Sequence, residues 1–148
     1  MIISGNLKNV KSFDFVKNKI YKTYYDSAKK AHCSAIINDK EDIIKLIESS
    51  FEGIIRIWNF HSGELLNKIK IDGGKFFGIC LNEEFLYVGC EGKTIKIIDI
   101  KTGTLFHELN AHYKQVVCLK IVNLPKYGTC IISQGLDDQI KIWAYKNE

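Results

Sequence analysis

His112, Ser133 and Asp137 are the residue types of a hydrolytic relay, in which histidine takes the proton of a serine hydroxyl and aspartate holds the imidazole. Ser133, however, closes the apolar run Cys130, Ile131, Ile132, which reads as a strand interior. A nucleophilic serine needs an exposed sharp turn with backbone donors beside it, so hydrolysis is not expected. His32, His61 and His107 stand singly, without a second ligand at metal spacing, and no metal or other cofactor is expected. Glu83 with Glu84, and Asp137 with Asp138, are adjacent carboxylates. In strands and turns such neighbours point apart and cannot act together as acid and base. Gly73-Gly74 and Glu91-Gly92-Lys93 read as turns, and no glycine-rich loop opens a helix to cradle a phosphate. The chain is not expected to be an enzyme.

The composition suits one packed domain. In 148 residues, 46% are hydrophobic and 26% charged, with a single proline, which excludes disordered and low-complexity classes. No apolar run approaches the roughly 18–20 residues of a membrane-spanning helix. The five cysteines, Cys33, Cys80, Cys90, Cys118 and Cys130, are odd in number and form no Cys-x-x-Cys pair, so reduced thiols are expected. With no export signal behind Met1, the reading is an intracellular protein, cytoplasmic in preference to nuclear. The net charge of +4 is concentrated: residues 1–31 hold seven lysines against two aspartates, and the rest hold 14 basic and 15 acidic residues. Arg56 is the one arginine.

The elements that carry these residues repeat. GIIRIWNFHSGELLNKI around Trp58 superposes without a gap on TIKIIDIKTGTLFHEL around Ile98, 40 residues on. Further copies place Trp143 45 residues later and Phe13 45 residues before Trp58. Two residues before these positions stand Lys11, Arg56, Lys96 and Lys141; three before stand Val10, Ile55, Ile95 and Ile140. Within each period, short runs rich in Ile, Val, Phe, Tyr and Thr alternate with Gly, Asn and Asp clusters, the pattern of strands. Expected strands cover residues 2–4, 8–15 and 19–25; 34–37, 43–48, 54–60 and 65–71; 76–81, 85–89, 94–100 and 105–109; and 116–122, 130–133 and 139–145. Runs such as Ile95-Lys96-Ile97-Ile98 carry apolar side chains on both faces. Both faces must then be covered, as they are when four-stranded sheets stack around an axis. The expected fold is all-β: an incomplete beta-propeller of about 3.5 four-stranded antiparallel blades. The expected boundaries within this single region, 1–148, are a partial blade over 1–31, blades over 32–72 and 73–111, and a blade lacking its last strand over 112–148.

With Asp14, Asn59 and Asp99 following the repeated apolar position, and Ala31-His32 and Ala111-His112 opening two copies, the chain resembles the WD-repeat beta-propellers. No copy carries both Trp and Asp. The resemblance implies a buried, structural hydrogen-bond chain of His112, Ser133, Asp137 and Trp143 in the last copy. In the other copies the aspartate place holds Leu7, Glu52 and Gly92, so those blades are expected to rely on apolar packing. It also implies a non-enzymatic scaffold that binds other proteins on one rim, with Lys75, Phe76, Lys93, Tyr113, Lys114 and Gln115 as contact candidates. The alternative is nucleic-acid or acidic-membrane binding through the lysine-rich N-terminal segment. Its aromatics Phe13, Phe15, Tyr21, Tyr24 and Tyr25 repeat the strand pattern, however, and are expected in the core. Closed rings of this kind hold about seven blades, roughly 280–315 residues. The chain is therefore expected to be the C-terminal part of a larger propeller, or else to self-associate.

Overall fold

The computed structural model describes residues 2–5, 9–26, 31–38, 43–72 and 74–144, and the described residues form fourteen strands and no helix. They fall into two compact units, Met1–Phe76 and Phe77–Glu148. In the first unit, β1 (Ile2–Gly5), β2 (Val10–Asp14) and β3 (Lys19–Tyr24) make a three-stranded sheet. A four-stranded sheet follows, of β4 (Ala31–Asn38), β5 (Ile44–Ser50), β6 (Ile54–Asn59) and β7 (Leu65–Lys70). β8 (Phe76–Leu81) opens at the unit boundary and joins β9 (Phe85–Cys90), β10 (Thr94–Asp99) and β11 (Leu105–Asn110) in a second four-stranded sheet. The last sheet has three strands, β12 (Val116–Leu124), β13 (Gly128–Gly135) and β14 (Ile140–Ala144). Every sheet is an antiparallel meander in sequence order. Strands β4, β5 and β13 run beyond their expected ends, because turn residues there still find ladder partners; residues 8 and 145 lie outside the described set.

The repeat is visible in the turns. After the third strand of a repeat, Asp14, Asn59 and Asp99 each turn a carboxylate or amide oxygen onto backbone N–H groups of the loop, at 2.8–3.1 Å. Four residues after each stands a residue of positive φ: Asn18 (50°), Gly63 (77°) and Gly103 (72°). Each hairpin then slips register beside the large apolar residue, at Ser12/Phe13, Ile57/Trp58 and Ile97/Ile98. The aspartate or asparagine is therefore a loop cap, which explains its regular place in the sequence.

Within each unit, one sheet lays a face on the next. Val10 and Tyr24 of the first sheet meet Leu46, Trp58 and Phe60 in one buried cluster, and the Tyr24 hydroxyl donates to the Phe60 carbonyl at 2.7 Å. In the second unit, Ile95 packs with Val116, Leu119 and Ile131, and Trp143 lies against that cluster. The strands approach so closely that a Cβ at Gly89 would stand 2.6 Å from the Val116 carbonyl oxygen. That neighbour is backbone within a ladder and has no room to yield. Gly89→Ala is expected to lower stability by about 1–3 kcal/mol, read as a shifted urea midpoint at unchanged slope.

Candidate protein-binding rim

At one end of the second unit, three turns converge. The β9–β10 turn is closed by Lys93, a non-glycine residue at φ 73°. Its carbonyl accepts from the N–H groups of Ala111 (3.2 Å) and His112 (3.0 Å), which ties the β11–β12 loop to the turn. The β13–β14 turn joins from the other side, with Leu136 N–H donating to the Gln115 carbonyl at 2.9 Å. The Gln115 amide also reaches the Glu91 carboxylate at 3.5 Å.

Beneath this loop lies a chain of side chains. The Trp143 indole N–H can only donate, and it meets Ser133 Oγ at 2.8 Å. Ser133 Oγ is also 2.8 Å from His112 Nε2. Donor accounting therefore has serine accept from the indole and donate to Nε2, which leaves the imidazole proton on Nδ1. That nitrogen stands 2.9 and 3.1 Å from the two Asp137 oxygens. Asp137 completes the chain by accepting the backbone N–H of Tyr113 at 2.8 Å and of Gln139 at 3.3 Å. Burial works against its charge, but the Tyr113 N–H, His112 and the Gln139 N–H outweigh it and hold the carboxyl below its ordinary range. His112, Ser133, Asp137 and Trp143 are thus in direct sequence, and the far end of the chain fixes the Tyr113 backbone. Ser133 is wholly buried with its hydroxyl engaged on both sides, so a substrate carbonyl has no approach to it.

What the network holds in place is a polar and aromatic surface. Tyr113 is 74% exposed, and the Lys141 ammonium lies 5.3 Å from its ring centroid while donating to the Ala111 carbonyl at 2.7 Å. Lys93 and Lys114 are exposed and Gln115 is half-buried. Lys75 is exposed at the end of the first unit. Phe76 does not belong with these contacts: it is fully buried, its ring within 3.9 Å of where a Gly53 Cβ would stand, so it is a strand-end core residue.

The expectation that the second repeat relies on apolar packing is overturned. Arg56, 1% exposed, donates from Nε to Asp26 at 2.8 Å and from Nη1 to Glu48 at 3.2 Å; Glu52 lies 3.9 Å from Nη2. The Trp58 indole donates to the other Glu48 oxygen at 3.3 Å, and Lys68 joins at Asp26 at 2.8 Å. An ionic cluster therefore does in this sheet what serine and histidine do in the last. Lys96 follows suit, buried and 2.9 Å from Glu108. The sequence signal was the cation two places before each large apolar residue.

The N-terminal aromatics also depart in part from expectation. Tyr24 is core and Phe13 half-buried, but Phe15, Tyr21 and Tyr25 are exposed. Phe15 stands in the β2–β3 turn, and the Tyr21 hydroxyl reaches His61 Nδ1 at 2.7 Å on the surface.

Among the described residues no helix is long and apolar enough to cross a membrane, and no cluster of His, Cys, Asp and Glu suits a metal ion. Residues 76–123 match the WD40 domain of anaphase-promoting complex subunit 4. The chain is 23% identical over 99 residues to U3 small nucleolar RNA-associated protein 21 homolog of Schizosaccharomyces pombe, covering 66% of this chain and 11% of the relative. It is 31% identical over 110 residues to Topless-related protein 4 of Arabidopsis thaliana, covering 64% of this chain and 9% of that one. The chain thus matches only about a tenth of the length of these relatives. Among solved structures, the computationally designed Ika4 protein superposes with a TM-score of 0.74 at 17% identity, over 97% of this chain and 84% of its own. The designed Ika8 protein gives 0.73 at 17% identity, over 97% of this chain and 42% of its own. With the repeated turns, the stacked antiparallel sheets and these matches, the chain is similar to the WD-repeat propellers, most directly over residues 76–123.

Proposed function

We propose that the chain is a non-enzymatic scaffold that binds another protein through the rim around Tyr113. The family is in general one of protein-binding scaffolds. The observation that carries the reading is the Asp137 carboxylate accepting from the Tyr113 N–H, because it spends a buried network on holding an exposed aromatic loop still. A rigid aromatic beside Lys93 and Lys114 is the composition of an interface anchor, and it suits a partner segment with carboxylates. Tyr113→Ala with Lys114→Ala is expected to weaken capture of the wild-type partner about tenfold or more, the scale of a hot-spot loss. Stability should move by less than about 1 kcal/mol, since only the exposed cation–π contact is lost. Loss of binding together with a collapsed melting transition would assign these residues to packing.

The alternative, nucleic-acid or acidic-membrane binding by the N-terminal segment, is favoured by one observation: Phe15 and Tyr25 are exposed close to Lys17 and Lys22 in sequence. A titration with single-stranded nucleic acid whose affinity ignores salt removes that reading. The intracellular reading is kept; the preference for cytoplasm over nucleus finds no support, one relative being named for a nucleolar RNA. The reading as part of a larger propeller is supported by the length of the relatives.

A further inference from the structure

We infer, building on the protein-binding rim proposed above, that Lys93 is the specificity-determining contact of that rim: its ammonium takes a carboxylate from a partner polypeptide whose main chain lies across Gly92. One turn position, followed through three repeats, sets Lys93 apart. Gly53, Lys93 and Asp138 each stand five residues before the large apolar residue, Trp58, Ile98 or Trp143. All three have positive φ, of 70°, 73° and 61°. In two of the turns this conformation serves the same end. The Gly53 carbonyl accepts the Ile71 N–H at 3.0 Å, as the Lys93 carbonyl accepts from Ala111 and His112, so each turn is tied to the chain that follows the fourth strand of its sheet.

The three side chains differ in how well they tolerate that backbone. Glycine adopts positive φ freely, and at Gly53 it is also required by space, since a Cβ there would stand 2.9 Å from the Ile71 carbonyl oxygen. Aspartate is several-fold enriched among the non-glycine residues found in this region. Lysine has no short polar group to bond its own backbone, so Lys93 carries strain that glycine would relieve. Packing does not offset that strain, because the side chain is exposed. Gly92 beside it has no positive φ, and a Cβ there would meet nothing within 4 Å. Glycine thus stands where neither conformation nor space asks for it, and lysine where glycine would fit best. Both choices suit an incoming chain: bare backbone at Gly92 permits the close approach of another main chain, and Lys93 meets its charge.

The charges of the rim select the kind of partner. Among the described residues of the three converging turns, the exposed charges are Lys93, Lys114 and Asp138. A polypeptide can set an acidic residue over the two lysines and a neutral or basic one over Asp138, whereas a nucleic-acid strand brings a negative charge at every step.

The test is selection of a displayed library of random peptides on the immobilised 148-residue chain, with binding and urea unfolding of variants measured side by side. The recovered peptides are expected to be rich in Asp and Glu. Lys93→Gly should weaken them about tenfold while raising the urea midpoint, because the contact is lost and the turn relaxes. Lys93→Arg should keep the affinity without the gain in midpoint. Peptides without acidic residues, an empty selection, unchanged affinity in Lys93→Gly, or a lowered midpoint would each overturn the inference, as would an oligothymidylate that binds in a manner dependent on Lys93. Peptides that need Tyr113 and not Lys93 overturn it while the rim reading stands; peptides that need neither remove both.

Discussion

Replacing Arg56 by alanine is expected to lower the folding free energy by about 3–5 kcal/mol, the range found when one member of a buried ion pair is removed. Domains of this kind are stable by only about 5–15 kcal/mol, so much of the margin goes. The reason is what remains: Glu48, a buried carboxylate that has lost its guanidinium and keeps the Trp58 indole. Arg56→Met with Glu48→Leu should recover most of the loss, since no unpaired charge stays inside. Urea unfolding of the three proteins measures both effects. The cluster also sets an acid limit. Lys68 and Arg56 hold the Asp26 carboxyl well below its ordinary range, so the folded chain keeps it ionised where the unfolded chain takes up a proton. That contribution is present above an unfolded pKa of about 4 and is lost as pH falls through the lower folded value. Glu48 runs the other way: burial raises its carboxyl against the pull of Arg56 and Trp58, so its protonation on acidification favours the fold. Asp26→Asn should accordingly flatten the acid limb of a stability profile.

His112→Leu is expected to lower stability by about 2–3 kcal/mol, as the Ser133 hydroxyl loses its acceptor in a buried site and the imidazole leaves a hole. The effect should extend beyond stability. Asp137 keeps the Tyr113 and Gln139 N–H groups but loses the ring that orients it, so the loop above loosens and partner capture weakens as well. Tyr113→Ala, by contrast, removes capture and spares the melt. A double-mutant cycle of His112→Leu with Ser133→Ala should give a combined loss smaller than the sum, because either change already breaks the chain. Additive losses would show that the two residues act separately.

The strands were legible because their signal is local: apolar runs rich in Ile, Val, Phe and Tyr between Asn, Asp and Gly turns, four to a period. The chain His112, Ser133, Asp137, Trp143 was legible through resemblance, since these residues lie far apart in sequence and only their repeat positions connect them. Phe76 was misread because a strand's first residue looks the same whether its ring turns into the core or onto the rim. The ionic cluster was missed because Asp26, just past the end of β3, and Arg56, in β6, are 30 residues apart, and the pairing depends on how the first sheet stacks on the second. Exposed Phe15 and Tyr25 had no distinguishing sign either. An aromatic at a strand end has the same composition buried or bare.

Every strand among the described residues pairs with the strand just before or after it in the chain. Closing such hairpins requires only short loops, so little entropy is lost before contacts form. A ribosome that releases this chain therefore delivers each sheet with all its pairing partners already outside the exit tunnel. Assembly can proceed module by module, and only the stacking of one module on its predecessor waits for later residues.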